Sequence, residues 1–120
     1  MLVVDDDASV RRSLYRLIRS ASYDVEVLDG AAAYLERAPE PAPACLVVDI
    51  RMSGMSGLDL FRTVQGTVRA LPIVFISAQG EEVRAQALAA GAVDFLYKPL
   101  DEAHLFAAID RALEISKTRG

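Results

Sequence analysis

Short apolar runs of strand length alternate with segments of helical periodicity five times along these 120 residues. The runs span 2–4, 25–28, 45–48, 72–76 and 92–97, and each is followed by apolar residues spaced three and four apart. Pro72-Ile73-Val74-Phe75-Ile76 is apolar throughout, the pattern of a parallel strand buried on both faces. Strand and helix in strict alternation build an α/β domain, a five-stranded parallel sheet doubly wound by helices through right-handed crossovers. Ligands in such sheets bind at the C-terminal ends of the strands, near the point where strand order reverses.

The helical segments differ in how much they can bury. Val10, Leu14, Leu17, Ile18 and Ala21 mark a first helix over 8–21, with Asp7 or Ser9 able to cap it. A second, 31–38, stops at Pro39, Pro41 and Pro43, and a third carries Leu58, Leu60, Phe61 and Val64. The fourth, 81–90, has mainly alanines on its apolar side and a stop at Gly91. It buries little area and should be lightly anchored. Leu105, Ala108, Ile109, Ala112 and Leu113 make the last helix strongly periodic, with Asp101 and Glu102 favourable at its start. The domain is expected to span 1–115, with 116–120 the start of a linker or C-terminal tail.

Two strands deliver carboxylates to the edge where a ligand would sit. Asp5, Asp6 and Asp7 follow the first run and Asp49 follows the third. Carboxylates about 4–5 Å apart repel by roughly 4 kcal/mol per pair at an effective dielectric of ~20, so their gathering calls for a hard cation or a proton. Ser77 and Lys98 close the fourth and fifth strands at the same edge.

Composition removes several other functions. A 52% hydrophobic content in 120 residues supports one core, and a net charge of −4 opposes a nucleic-acid surface. Arg11, Arg12, Arg16 and Arg19 read as the solvated face of the first helix, with a basic docking patch as the alternative. The single cysteine, Cys45, reads as a small buried hydrophobe, and His104 stands apart from the acidic clusters. No apolar run approaches the ~20 residues of a membrane span and no signal-peptide pattern precedes the first strand, so a cytoplasmic protein is expected.

Five motifs in order, Val3-Val4-Asp5-Asp6, Val47-Val48-Asp49, Gly54-Met55-Ser56-Gly57, Ile76-Ser77-Ala78 and Lys98-Pro99, resemble the receiver domains of two-component response regulators, the CheY-like family. The set looks most like receivers attached to helix-turn-helix output domains. The resemblance implies a flavodoxin-like (βα)5 fold with strand order 2-1-3-4-5. It implies that Asp49 takes a phosphoryl group from a phosphohistidine on a sensor histidine kinase. Mg2+, with Mn2+ able to substitute, would be held by Asp6 directly, by Asp5 chiefly through water, by Asp49 and by the main-chain carbonyl of Arg51. Lys98 and Ser77 would contact the phosphoryl oxygens, Ser77 and Phe95 would form the switch, and Arg51 and Gln79 would tune hydrolysis. A cis Lys98–Pro99 bond is also implied. Output would pass through the face made by the fourth helix, fifth strand and fifth helix, to an attached output domain, a partner protein or a second copy.

Two positions depart from the family pattern. Ser53 stands where proline is usual, which predicts a more mobile loop, and Ser22 where glycine is usual, which predicts modest backbone strain. Asp7 reads as a helix cap, with an electrostatic contribution to the metal site as the alternative. Met52 and Met55 read as packing. Two competing functions remain: a haloacid-dehalogenase-like phosphatase with Asp5 as nucleophile and Asp7 as acid/base, and a pseudo-receiver that is never phosphorylated.

Overall fold

The five apolar runs form one all-parallel sheet in a computed structural model that describes residues 1–41, 43–78 and 80–119. The strands β1 (Leu2–Val4), β2 (Glu26–Leu28), β3 (Leu46–Asp49), β4 (Ile73–Ser77) and β5 (Asp94–Tyr97) lie in the order β2-β1-β3-β4-β5. The order reverses between β1 and β3, so the switch point falls between Asp5 and Asp49. Register pairs Val4 with Val48, Asp49 with Ile76 and Ser77 with Tyr97, which aligns the C-terminal strand ends along one edge.

Because successive strand residues point to opposite faces, a continuous apolar run can serve two cores at once. Leu2, Val4, Leu46, Val48, Ile73, Phe75 and Phe95 face one core, and Val3, Cys45, Val47, Val74, Ile76 and Leu96 face the other. The first core is covered by α2 (Ala31–Glu36), α3 (Gly57–Val64) and α4 (Glu81–Ala89), the second by α1 (Ala8–Ser20) and α5 (Glu102–Arg119). Leu14 and Ile18 of α1 and Leu105, Ala108, Ile109 and Ala112 of α5 are buried, whereas α4 buries only Ala87. Each fully buried leucine or isoleucine contributes roughly 1.5–3 kcal/mol, so α1 and α5 are each held more strongly than α4.

Several local features depart from the sequence reading. α2 ends two residues early because Arg37 is extended, its guanidinium reaching Glu26 at 2.9 Å and Glu40 at 2.7 Å. The expected tail from 116 is helical through Arg119. Ser116 is buried and its Oγ accepts the Ala44 amide at 2.9 Å, so that last turn packs as part of the domain. Ser22 has φ 70°, the left-handed conformation that a glycine would adopt without strain. His104 stands apart from any acidic cluster among the described residues, but its Nε2 lies 3.0 Å from the single carboxylate of Asp94, whose Oδ2 Arg111 also approaches at 3.1 Å.

Candidate functional site

Where β1 ends, three consecutive aspartates take three different environments. Asp5 continues the ladder through its amide to the Leu28 carbonyl at 3.1 Å, and its side chain is buried. Its Oδ1 accepts the Asp7 amide at 2.9 Å, while Oδ2 has no hydrogen-bond donor among the described residues. Burial pushes the Asp5 carboxyl up from 3.8 to about 6, opposed by the Asp7 amide and reinforced by the nearby charge of Asp49. Asp7 caps α1, its Oδ1 accepting the Ser9 and Val10 amides at 2.8 and 3.3 Å. The carboxylate that a phosphatase would need as acid/base is thus engaged in capping the start of a helix.

Asp6 is exposed but tethered. Its Oδ2 accepts both the amide and the hydroxyl of Ser53, at 2.8 and 3.0 Å. The Ser53 amide, then its hydroxyl, hold the Asp6 carboxyl below its ordinary value. The loop expected to be loosened by the missing proline is therefore tied across to β1. Sequence reasoning registered only the lost φ constraint. The usable signal was that serine, unlike proline, brings an amide hydrogen and a hydroxyl.

Asp49 is buried at the end of β3, with both carboxylate oxygens engaged. Oδ1 accepts the Arg51 amide at 2.8 Å and Oδ2 lies 2.9 Å from Lys98 Nζ. The loop after it returns through Gly57, whose amide donates to the Ile50 carbonyl at 3.0 Å. A Cβ at Gly57 would lie 2.5 Å from the Asp49 carbonyl oxygen, so glycine is what allows α3 to start this close to the site. Met52 and Met55 are partly buried against the core, in keeping with a packing role.

Ser77 is buried at the end of β4, and its carbonyl accepts the Lys98 amide at 2.8 Å, which sets the lysine beside the serine. The Lys98–Pro99 bond is cis. Phe95 is buried and inward, its ring 6.3 Å from Phe75 and 5.5 Å from Tyr97. Tyr97 in turn donates its hydroxyl to Glu81 at the start of α4, at 2.8 Å. Arg11, expected on a solvated face, is half-buried and donates to the Asp5 carbonyl at 2.7 Å. Neither of these links was foreseen from the sequence. Gln79 lies outside the described residues.

The structure thus brings Asp5, Asp6, Asp49, Arg51, Ser77 and Lys98 to one edge of the sheet. A buried carboxylate oxygen without a donor, next to a second carboxylate, suits a hard divalent cation. Among the described residues no three His, Cys, Asp or Glu side chains form a ready cage. A cation that keeps several waters and takes one or two carboxylates fits such a donor set.

A doubly wound parallel sheet with aspartates at its switch point and a lysine on one of them defines a receiver-type α/β domain. The chain belongs to the response regulator receiver domain family, whose family model matches residues 1–110. It is 39% identical over 115 residues to the response regulator protein TodT of Pseudomonas putida, a match covering 95% of this chain and 51% of that protein. To the transcriptional regulatory protein TdiR of Thauera aromatica it is 40% identical over 118 residues, covering 98% of this chain and 52% of TdiR. The chain spans about half the length of these curated relatives. Among solved structures, that of the response regulator StyR superposes with a TM-score of 0.88 at 44% identity, covering 98% of this chain and 60% of that one. FixJ-N superposes with a TM-score of 0.86 at 35% identity, covering 94% of this chain and 91% of that one. No described helix is long and apolar enough to cross a membrane.

Proposed function

We propose that this domain is a phosphorylation-controlled switch in a two-component phosphorelay, with Asp49 as the phosphoryl acceptor. The observation that carries this reading is the buried Asp49 carboxylate with Lys98 Nζ 2.9 Å from Oδ2 and the donorless oxygen of Asp5 nearby. An Asp49 oxygen attacks the phosphorus of a kinase phosphohistidine. The P–N bond breaks, and the imidazole leaves with the bond's electron pair and takes up a proton. Mg2+ would be held by Asp5, Asp6, Asp49 and the Arg51 carbonyl, and supplies charge neutralisation for the transferring group.

The protein's own groups divide the remaining work. Lys98 moves from the Asp49 carboxylate to a phosphoryl oxygen, a charge-assisted contact of the stronger class. The Ser77 hydroxyl donates to another oxygen. The new charge and acceptor oxygens favour one of two pre-existing arrangements of the β4–α4 segment, and Phe95 passes the change on by packing, since it has no hydroxyl. Arg51 and Gln79 flank the approach of water and set the lifetime of the phosphoform. The α4–β5–α5 face then controls an output domain, a partner protein or a second copy. The transcriptional regulators among the relatives make transcription the favoured output, with the exchange taking place in the cytoplasm.

Incubation with acetyl phosphate and Mg2+ followed by intact-mass measurement tests the reading. A gain of about 80 Da, one phosphoryl group, that disappears in Asp49→Asn is expected. No gain in the parent protein would leave a pseudo-receiver.

A further inference from the structure

The bond pair between Ser53 and Asp6 joins two loops 47 residues apart in sequence, one carrying Asp5 and Asp6, the other leading away from Asp49. We infer that Ser53 is a positioning residue for the cation site. Its amide and hydroxyl jointly fix the Asp6 carboxylate through one oxygen, so that the other is presented to a divalent cation beside Asp5 and Asp49.

Asp6 is exposed, and an exposed carboxylate samples several rotamers, whose loss opposes binding. Two donors from one residue converge on Oδ2, at 2.8 and 3.0 Å, and neither falls on Oδ1. The amide donor belongs to the β3–α3 loop, which is itself set by the Arg51 amide on Asp49 Oδ1 and by the Gly57 amide on the Ile50 carbonyl. The Asp6 carboxylate is thereby tied to the backbone of the loop that follows Asp49. Hydrogen-bond partners of metal-ligating carboxylates orient them and hold them ready for the ion. A proline at 53 could supply neither donor, and an alanine only one.

The inference rests on the proposed cation site, and the test separates the two. Mg2+ alone is titrated calorimetrically into the parent protein, Ser53→Thr, Ser53→Ala, Ser53→Pro and Asp6→Ala, and thermal unfolding of each is recorded in EDTA. Loss of such partners typically weakens metal binding about 10–100-fold, so Ser53→Pro should raise Kd by ~10-fold or more and Ser53→Ala by roughly 3-fold. Ser53→Thr, which keeps both donors, should bind like the parent, and the melting points in EDTA should not follow the order of the Kd values. If Ser53→Pro does not fold, the Ser53→Ala value decides. Unchanged or tighter Mg2+ binding in the folded Ser53 variants, with binding lost in Asp6→Ala, overturns the role of Ser53 and leaves the cation site standing. No Mg2+ uptake by the parent overturns both.

Discussion

Helices α4 and α5 flank the same strand, β5, yet they are held by different means. α5 packs Leu105, Ala108, Ile109 and Ala112 against the sheet and is fastened along its length by Asp94–Arg111, by the Asp101 carboxylate on the Ala103 amide and by Ser116 on Ala44. α4 buries Ala87, starts at Gly80 with no side-chain cap among the described residues, and is tied by Tyr97 to Glu81 and by Gln65 Nε2 to the Ala90 carbonyl at 3.0 Å. One helix is fixed by several large buried side chains, the other by one buried alanine, the partly buried Val83 and Leu88 and a few exchangeable polar contacts. The lesson is a division of labour. Apolar burial by α1, α3 and α5 holds the sheet, which lets the C-terminal strand edge carry buried carboxylates and lets α4 shift.

That contrast can be broken most directly in α5. Leu105→Ala should cost about 2–5 kcal/mol by urea unfolding, as a buried leucine truncated in a packed core does. A cost below ~1 kcal/mol would mean that α5 is no better anchored than α4. Gly57→Ala, which brings a methyl against the Asp49 carbonyl, should cost about 1–3 kcal/mol, and urea unfolding of this variant measures how tightly the functional corner is packed.

The buried carboxylate gives an effect of opposite sign. The folded pKa of Asp5 is about 6 against an ordinary 3.8, so between these values the folded chain keeps a proton that the unfolded chain has released. The stability linked to this group is therefore present below about pH 4 and lost as pH rises through about 6. In EDTA at pH 7, Asp5→Asn should stabilise the fold by on the order of 1–2 kcal/mol and flatten the decline between pH 4 and 6. Equal pH profiles for the two proteins would show that the cluster is not costly to fold. The smallest effect is expected from Tyr97→Phe, which removes one link between α4 and β5. Amide exchange should quicken in α4 and stay unchanged in α5, and a uniform change would contradict local anchoring.

The sheet was legible because continuous apolar runs admit few other folds, and the carboxylate edge followed from where those runs end. The weak anchoring of α4 was visible in its alanines, and the strain at Ser22 in a side chain where a turn needs positive φ. Contacts that depend on side-chain reach were not legible. Arg11 on the Asp5 carbonyl, Tyr97 on Glu81 and His104 on Asp94 each join residues whose spacing in sequence carries no periodic signal. Ser53 was harder still. Its substitution pattern pointed to a looser loop, and only the backbone path shows both of its donors meeting one carboxylate.

Asp49, rather than an aspartate after β1, is the proposed acceptor of the phosphoryl group. Borohydride reduces an aspartyl phosphate to homoserine, so the chain is treated with acetyl phosphate and Mg2+, reduced, and mapped by peptide mass spectrometry. Homoserine at position 49 is expected, with Asp5, Asp6 and Asp7 unmodified. Homoserine at Asp5 with an intact Asp49 would contradict this assignment and restore the phosphatase reading.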